Sequence, residues 1–232
     1  MSIRENIALV RTNIARAAAE AKRSADEITR VGASKMNDAA ACREAIAAGI
    51  DALGENRVQE MTQKLSEHAY DGAPLHFIGH LQRNKVKMVV GKVALIESVG
   101  SYELLSLIDA QADRLGIVQD ILLEVNIGDE DAKSGFAASD LPAAAESAKA
   151  LAHSRVRGRM CTPPVAEGEH GSIPYFEKVH ALFVDINKKL YDNTLDILSM
   201  GMSGDYEDAV RTGATMVRVG TAIFGHRDYT IS

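Results

Sequence analysis

The stretch LSMGMSGD at residues 198–205 is followed closely by TMVRVGTAIFG at residues 215–225. Each begins as an apolar run, which is typical of a buried strand, and continues into a turn of glycine and hydroxyl residues. Backbone N–H groups in turns of this kind can point at an anion. The two stretches therefore predict adjacent strand–turn units that hold a phosphate group.

The rest of the chain repeats this alternation of a short apolar run and a helical pattern. Eight runs are predicted as strands, at residues 28–35, 50–54, 75–79, 94–99, 119–126, 156–160, 195–200 and 216–219. An amphipathic helix over residues 2–25 precedes them. Strict alternation with short connections predicts an α/β fold with a parallel sheet, and eight units predict a closed (β/α)8 or TIM-like barrel with an extra N-terminal helix. The alternative is an open doubly wound sheet, but no G-x-G-x-x-G motif follows the first strand.

Composition limits the function classes. The chain has 232 residues, 46% of them apolar, and a net charge of −6, which predicts one globular domain over residues 1–232. The acidic balance argues against nucleic acid as a partner, and no apolar run is long enough to cross a membrane. The N-terminus has no apolar signal stretch, and Cys42 and Cys161 are too far apart for a CxxC motif. We therefore expect a cytoplasmic protein.

In a barrel of this kind the chemistry lies at the C-terminal ends of the strands. Lys35 directly follows the first predicted strand, so we expect it to point into the mouth of the barrel. Burial lowers the pKa of a lysine, and the neutral amine attacks carbonyl groups. The alternative is a lysine at the rim that forms a salt bridge.

The loops after strands seven and eight are the recurrent phosphate site in such barrels. Ser203, Gly204, Gly220 and Thr221, which we call the phosphate cradle, supply hydroxyl groups and an accessible backbone there. A phosphate cradle and a lysine that forms a Schiff base suggest pyridoxal 5′-phosphate (PLP). Arg218 lies in an otherwise apolar strand and could face the pyridine nitrogen; because arginine keeps its proton, it would leave that nitrogen unprotonated.

Over nearly its whole length, the chain resembles the family of pyridoxal phosphate homeostasis proteins. Several separate motifs carry the resemblance, in the family's order: Ser34-Lys35, Gly54-Glu55-Asn56, His76-Phe77-Ile78-Gly79, Lys133-Ser134-Gly135 and the two C-terminal stretches.

The resemblance implies a barrel like the N-terminal domain of alanine racemase, which is fold type III among PLP proteins. It implies that Lys35 holds PLP as an imine and that Asn56 lies near the cofactor. It also implies that Ser203, Gly220 and Thr221 hold the phosphate and that Arg218 meets the ring nitrogen. The family serves intracellular vitamin B6 homeostasis, and PLP-dependent apo-enzymes are possible recipients of its cofactor.

The sequence departs from the family pattern at several positions. Residues 36–38 replace a Thr-Lys-Pro-like continuation, so the second lysine proposed to pass on the cofactor is missing. His80 stands where proline is common, and Arg57 where an aromatic residue is common. Arg159 and Cys161 vary the usual Gly-Leu-Met run. PLP binding is still expected, whereas the missing lysine argues against transfer through a lysine relay.

Three functions remain in comparison. The first is a PLP-binding homeostasis protein with no turnover, no catalytic residue and no metal, expected to be a monomer, although the amphipathic first helix leaves a weak dimer open. The second is a PLP-dependent amino-acid racemase, which would take a tyrosine base from an added domain for which a barrel of 232 residues leaves no room. The third is a phosphorylated-sugar enzyme, which needs carboxylates at strand ends. Glu55 is placed in that way, and Glu124 and Asn126 share one face of their strand.

Overall fold

The computed structural model describes residues 1–128, 134–165, 167–168 and 170–225. The strands are β1 Thr29–Ala33, β2 Ala52–Glu55, β3 Leu75–Phe77, β4 Leu95–Val99, β5 Gln119–Asn126, β6 Phe136–Ala137, β7 Ser154–Cys161, β8 Ile197–Ser199 and β9 Met216–Val219. The helices are α1 Ile3–Glu20, α2 Ala39–Ala47, α3 Val58–Ser66, α4 Val86–Val89, α5 Tyr102–Leu115, α6 Leu141–Lys149, α7 Ile173–Leu190, α8 Tyr206–Arg211 and α9 Thr221–Phe224. Single 3₁₀ turns lie at Ala25–Glu27 and Arg83–Lys85.

Eight parallel strands form a closed barrel. Their order around the barrel is β1, β2, β3, β4, β5, β7, β8 and β9. The barrel closes because β9 pairs with β1, from Thr29 opposite Met216 to Gly32 opposite Val219. The predicted (β/α)8 barrel is therefore confirmed, and the open doubly wound alternative is wrong.

Several elements differ from the sequence prediction. The two-residue strand β6 is not among the eight predicted strands, and it pairs with the C-terminal end of β5. Strand β2 covers Ala52–Glu55 instead of the predicted run 50–54, and helix α3 begins at Val58. A short helix, α9, follows β9 directly after the last predicted strand. No helix within the described ranges is long and apolar enough to span a membrane.

Helix α1 covers the outside of the barrel beside α8, α9 and α2. Ser2 and Glu5 form a capping box, in which the Glu5 N–H donates to Ser2 Oγ at 3.2 Å and the Ser2 N–H donates to Glu5 Oε2 at 2.8 Å. Its apolar stripe of Ile7, Val10 and Ile14 is buried, and burial of each of these side chains contributes about 1.5–3 kcal/mol to stability. The extra N-terminal helix is thus part of the barrel's outer layer.

The interior of the barrel is apolar at the N-terminal end of the strands. Six side chains from different strands fill it, with Ile197 packed against them: Val31, Ala52, Leu95, Leu122, Met160 and Met216. Successive residues of a strand point to opposite faces, so the next inward positions lie two residues further along each strand. The side chains at those positions form the next layer of the interior, toward the C-terminal end of the strands.

A buried polar chain forms this second layer. The Nδ1 atom of His76 donates to Glu97 Oε1 at 2.8 Å. Ser199 Oγ donates to Glu97 Oε2 at 2.6 Å and accepts from Arg218 Nη1 at 2.6 Å. Four strands thus place complementary polar groups inside the barrel, where an unpaired polar group is costly.

The pKa of Glu97 reflects this arrangement. Burial alone would raise it, but the His76 hydrogen bond and the positive charges of His76 and Arg218 together outweigh burial. The pKa of Glu97 consequently lies below its usual value of 4.5. Glu97 is therefore a buried carboxylate that compensates the Arg218 guanidinium, from which it is 3.9 Å away.

A methyl group at Gly158 should destabilise the barrel. A Cβ atom there would lie 1.7 Å from the Ile197 carbonyl oxygen on the paired strand β8, so the backbone must shift. We expect Gly158→Ala to lower the free energy of unfolding by about 3 kcal/mol. Gly204→Ala is the control and should change it by less than about 0.5 kcal/mol, because no heavy atom lies within 4 Å of its Cβ position. Denaturant unfolding measures both, and equal stabilities would contradict the close strand contact.

Glu97 should also make stability depend on pH. Its pKa is lower in the folded chain than in the unfolded chain, so its contribution is complete above the unfolded pKa and is lost as the pH falls through the folded pKa. We expect the melting temperature of the wild-type protein to fall below about pH 4.5 more steeply than that of Glu97→Gln. Glu103→Gln is the control, since Glu103 forms an exposed pair with Arg83. If the melting temperatures of wild type and Glu97→Gln depended on pH in the same way, the lowered pKa of Glu97 would be contradicted.

Candidate functional site

Lys35 follows β1 at the mouth of the barrel, two residues beyond Ala33. Its side chain is exposed, so the expected burial is wrong. The cause is local: Ser34 keeps the buried position after the strand, and Met36 turns the backbone with a φ of 60°. The structure therefore presents the Lys35 amine at the rim, where a ligand can reach it from solvent.

The turn after β9 lies beside the strand that carries Lys35. A Cβ atom on Gly220 would be 3.5 Å from Ala33 Cβ and 3.6 Å from the Ala33 carbonyl oxygen. The register of β1 against β9 produces this neighbourhood, because Gly32 is opposite Val219. Two site residues that are far apart in sequence, Lys35 and Gly220, thus belong to adjacent strand ends.

The two loops of the phosphate cradle are joined by the Ser203 hydroxyl. Its Oγ accepts from the Gly220 N–H at 3.1 Å and from the Ala222 N–H at 3.2 Å. Gly204 is exposed, with open space at its Cβ position, and Thr221 is exposed at the start of α9. The structure therefore brings Ser203, Gly220 and Thr221 together and leaves them accessible.

Arg218 lies inside the barrel and is only 4% exposed. In addition to the Ser199 hydrogen bond, Nη2 donates to the Cys161 carbonyl oxygen at 2.8 Å and to Thr162 Oγ1 at 3.3 Å. These bonds reach from β9 across β8 to the end of β7. They fix the guanidinium as a positive group one layer below the mouth.

Asn56 follows β2 and is half-buried. Its Oδ1 atom is buried and has no hydrogen-bond donor among the described residues. The backbone of Asn56 packs closely against Gly79, where a Cβ atom would lie 2.2 Å from the Asn56 carbonyl oxygen. An amide oxygen held in this way is suited to accept a hydrogen bond from a polar ligand.

Glu124 is a further interior carboxyl, which the sequence analysis noted only by its strand face. Its side chain is 9% exposed and accepts from Ser134 Oγ at 2.9 Å. Burial raises the pKa of Glu124, while the Ser134 hydrogen bond and the charges of Arg218 and His80 oppose the rise. Lys133 of the quoted motif and Tyr229 lie outside the described residues.

Two other charged residues face away from the site. Glu55 is fully buried behind the barrel wall, where its Oε1 accepts from Ser34 Oγ at 2.7 Å and Tyr70 OH at 3.1 Å. It cannot act as the strand-end carboxylate of a sugar enzyme. Arg159 is also fully buried and lies over the ring of Tyr191, with its guanidinium carbon 5.9 Å from the ring centroid.

Sequence reasoning missed His76 and Glu97 as parts of the site. Glu97 lies within a predicted apolar strand and His76 within a quoted motif, and neither position by itself indicates a role in the site. The two-residue period of a strand places Glu97 on the same face as Leu95, and therefore inside the barrel. In the structure Glu97 lies beside Arg218 in the second layer. Pairing between distant strands then decides which polar residues meet.

The residues present fit PLP. A primary amine stands at the rim, and hydroxyl and glycine residues form a cradle on the adjacent strand end. An arginine occupies the interior, and the buried Asn56 amide oxygen has no donor in the part of the chain that the structure describes. These are the groups needed to attach an aldehyde, hold a phosphate and face an aromatic nitrogen.

Comparisons with known proteins agree with this fold. The family model "Alanine racemase, N-terminal domain" matches residues 3–228. A relative from Aquifex aeolicus, named pyridoxal phosphate homeostasis protein, is 39% identical over 229 residues, covering 99% of this chain and all of the relative.

Solved structures show the same architecture. PipY of Synechococcus elongatus, in a structure with PLP bound, is 31% identical with a TM-score of 0.84, covering 97% of this chain and all of PipY. Alanine racemase of Clostridium difficile shares the fold, with a TM-score of 0.73 at 17% identity, and the match covers 99% of this chain and 57% of the racemase. By its sequence and its barrel, the chain belongs to the family of pyridoxal phosphate homeostasis proteins.

Proposed function

We propose that this protein binds PLP and serves PLP homeostasis in the cell. The observation that carries the proposal is the juxtaposition of the Lys35 strand end with the Gly220 turn, above the buried Arg218. The relatives' name and the PLP-bound structure of PipY support the same assignment. On this proposal the whole barrel, residues 1–232, acts as one cofactor-binding domain.

Each residue of the site has a distinct role in the proposal. Lys35 supplies the amine that attaches covalently to the cofactor's aldehyde. Ser203, Gly220 and Thr221 hold the phosphate through hydroxyl and backbone N–H groups. Arg218 faces the ring nitrogen, and Asn56 contributes its amide oxygen.

PLP supplies an electron sink when its ring nitrogen is protonated. Arg218 cannot give up a proton, so an arginine at that nitrogen makes the sink weak. The contacts of Arg218 with Ser199 and Cys161 hold the guanidinium in place for this role. This chemistry favours storage over turnover.

We further propose that the protein has no catalytic turnover. A racemase needs a second base, and the described tyrosines with known hydroxyl contacts are engaged outside the barrel interior. Tyr70 donates to Glu55, Tyr191 to the Ala145 carbonyl oxygen, and Tyr206 contacts Asn13. An amino-acid racemase is therefore the weaker alternative, and a steady-state racemase assay that found turnover above that of free PLP, lost in Lys35→Ala, would favour it.

The partners follow from the same proposal. PLP-dependent apo-enzymes are the recipients of the stored cofactor. The protein acts as a monomer, because the apolar stripe of α1 is already buried against its own barrel. A cytoplasmic location is supported by the two free, buried cysteines, Cys42 and Cys161.

Borohydride should fix PLP permanently on Lys35. We expect the PLP-loaded protein to be yellow and, after reduction, to gain the mass of one reduced PLP on the peptide that contains Lys35. Lys35→Ala should lose the colour and the modification, because it has no amine beside the cradle. Lys188→Ala, in which an exposed lysine of α7 is removed, is the control. Peptide mass spectrometry checks this, and modification of a different lysine in the wild-type protein would overturn the assignment.

Ser203 should matter for the phosphate end of the ligand. We expect Ser203→Ala to raise the dissociation constant of PLP about five- to thirtyfold, since it removes a hydroxyl worth roughly 1–2 kcal/mol. Binding of pyridoxal, which has no phosphate, should change little. Ser106→Ala is the control, because the Ser106 hydroxyl donates to the Tyr102 carbonyl oxygen on an exposed helix face. Equal weakening of both ligands in titrations would count against the phosphate role.

A further inference from the structure

A buried cluster on the outer side of the barrel wall contacts the loop that carries Lys35. It lies between β1, β2 and helix α3 and is formed by Ser34, Glu55, Lys64 and Tyr70. The Lys64 ammonium is only 7% exposed and pairs with the fully buried Glu55 carboxylate. None of these groups has a role in the phosphate cradle or around Arg218.

Lys64 also reaches the backbone next to Lys35. Its Nζ atom donates to the Ser34 carbonyl oxygen at 2.8 Å. That oxygen belongs to the peptide group joining Ser34 to Lys35. The buried ion pair with Glu55 holds the ammonium in place, so the peptide group before Lys35 is anchored to α3.

Glu60 makes the matching contact on the other side. Its Oε2 atom accepts from the Met36 N–H at 2.6 Å. This N–H belongs to the peptide group joining Lys35 to Met36. Glu60 and Lys64 are one helical turn apart on α3, and Glu60 Oε2 lies 3.7 Å from Lys64 Nζ.

The backbone needs such support at this point. Met36 has a φ of 60°, in the left-handed region that disfavours residues other than glycine and asparagine. A residue of this kind keeps its conformation only where surrounding contacts enforce it. The Glu60 carboxylate binds the amide of the strained residue itself.

We propose that Glu60 and Lys64 are positioning residues for Lys35. Helix α3 holds the peptide groups on both sides of Lys35 and thereby fixes the direction in which its exposed side chain leaves the rim. The inference rests on the proposed function, because it assigns the clamp the task of presenting the amine to PLP. The two contacts from α3 explain how the Lys35 amine, which is not fixed by burial, can still be aligned with the phosphate cradle.

Variants of Glu60 test the clamp, because Glu60 is partly exposed and can be replaced without opening the core. Glu60→Ala removes the acceptor, so we expect the Met36 amide of the PLP-free protein to exchange with deuterium at least tenfold faster. The dissociation constant of PLP should rise about tenfold, as expected for losing a hydrogen bond to a charged group. Glu60→Gln keeps an acceptor oxygen and should restore both values to within about threefold of wild type.

Two further variants complete the design. Glu67→Ala is the matched control, because among the described residues the Glu67 side chain at the end of α3 accepts from Gln63 Nε2 alone. It should leave exchange and binding unchanged. The double variant Lys64→Met with Glu55→Gln removes the second arm without leaving a lone buried charge, and should also weaken PLP binding. Denaturant unfolding shows that the variants compared are folded.

The outcomes separate the two proposals. If wild-type protein takes up no PLP, the proposed function fails and the inference fails with it. If wild-type protein and Glu60→Ala take up PLP with equal affinity, or if the Met36 amide remains protected in Glu60→Ala, the clamp alone is overturned. Faster exchange and weaker binding in Glu60→Ala, both restored in Glu60→Gln, support it.

Discussion

The Arg218 guanidinium inside the barrel is the charge on which the arrangement of the site depends. Leaving such a buried charge without partners costs roughly 3–5 kcal/mol, so the surrounding strands must supply compensating groups. Glu97 comes from β4, Ser199 from β8, and the Cys161 carbonyl oxygen from the end of β7. One cation thus links strands from both halves of the sequence. The resulting polar layer lies directly below the mouth of the barrel.

Local signals in the sequence were sufficient for the fold. Apolar runs and helical periods identified all eight barrel strands and the N-terminal helix, which lies at Ile3–Glu20 within the predicted range 2–25. The contact between the Ser203 and Gly220 loops could also be predicted, because the loops after the last two strands of such a barrel meet at one edge. These features depend on periodicity and topology, which are properties of short segments and of their order along the chain.

The contacts that orient side chains could not be predicted in this way. Lys35 was expected to be buried, yet the turn at Met36 leaves it exposed. Glu55 was expected at the mouth, yet it faces Lys64 and Tyr70 behind the wall. Each outcome depends on which helix packs over which strand and in what register. A single sequence carries no direct signal for such long-range packing.

The pairing of β1 with β9 also has a consequence for the order of events during synthesis. Lys35 leaves the ribosome early, whereas Gly220 belongs to one of the last elements of the barrel to be made. Until that strand arrives, the amine has no neighbouring turn that could hold a phosphate. On the proposed assignment, a nascent chain, or a chain truncated before β9, does not compete with the folded protein for PLP. Binding of PLP then requires that the barrel is complete.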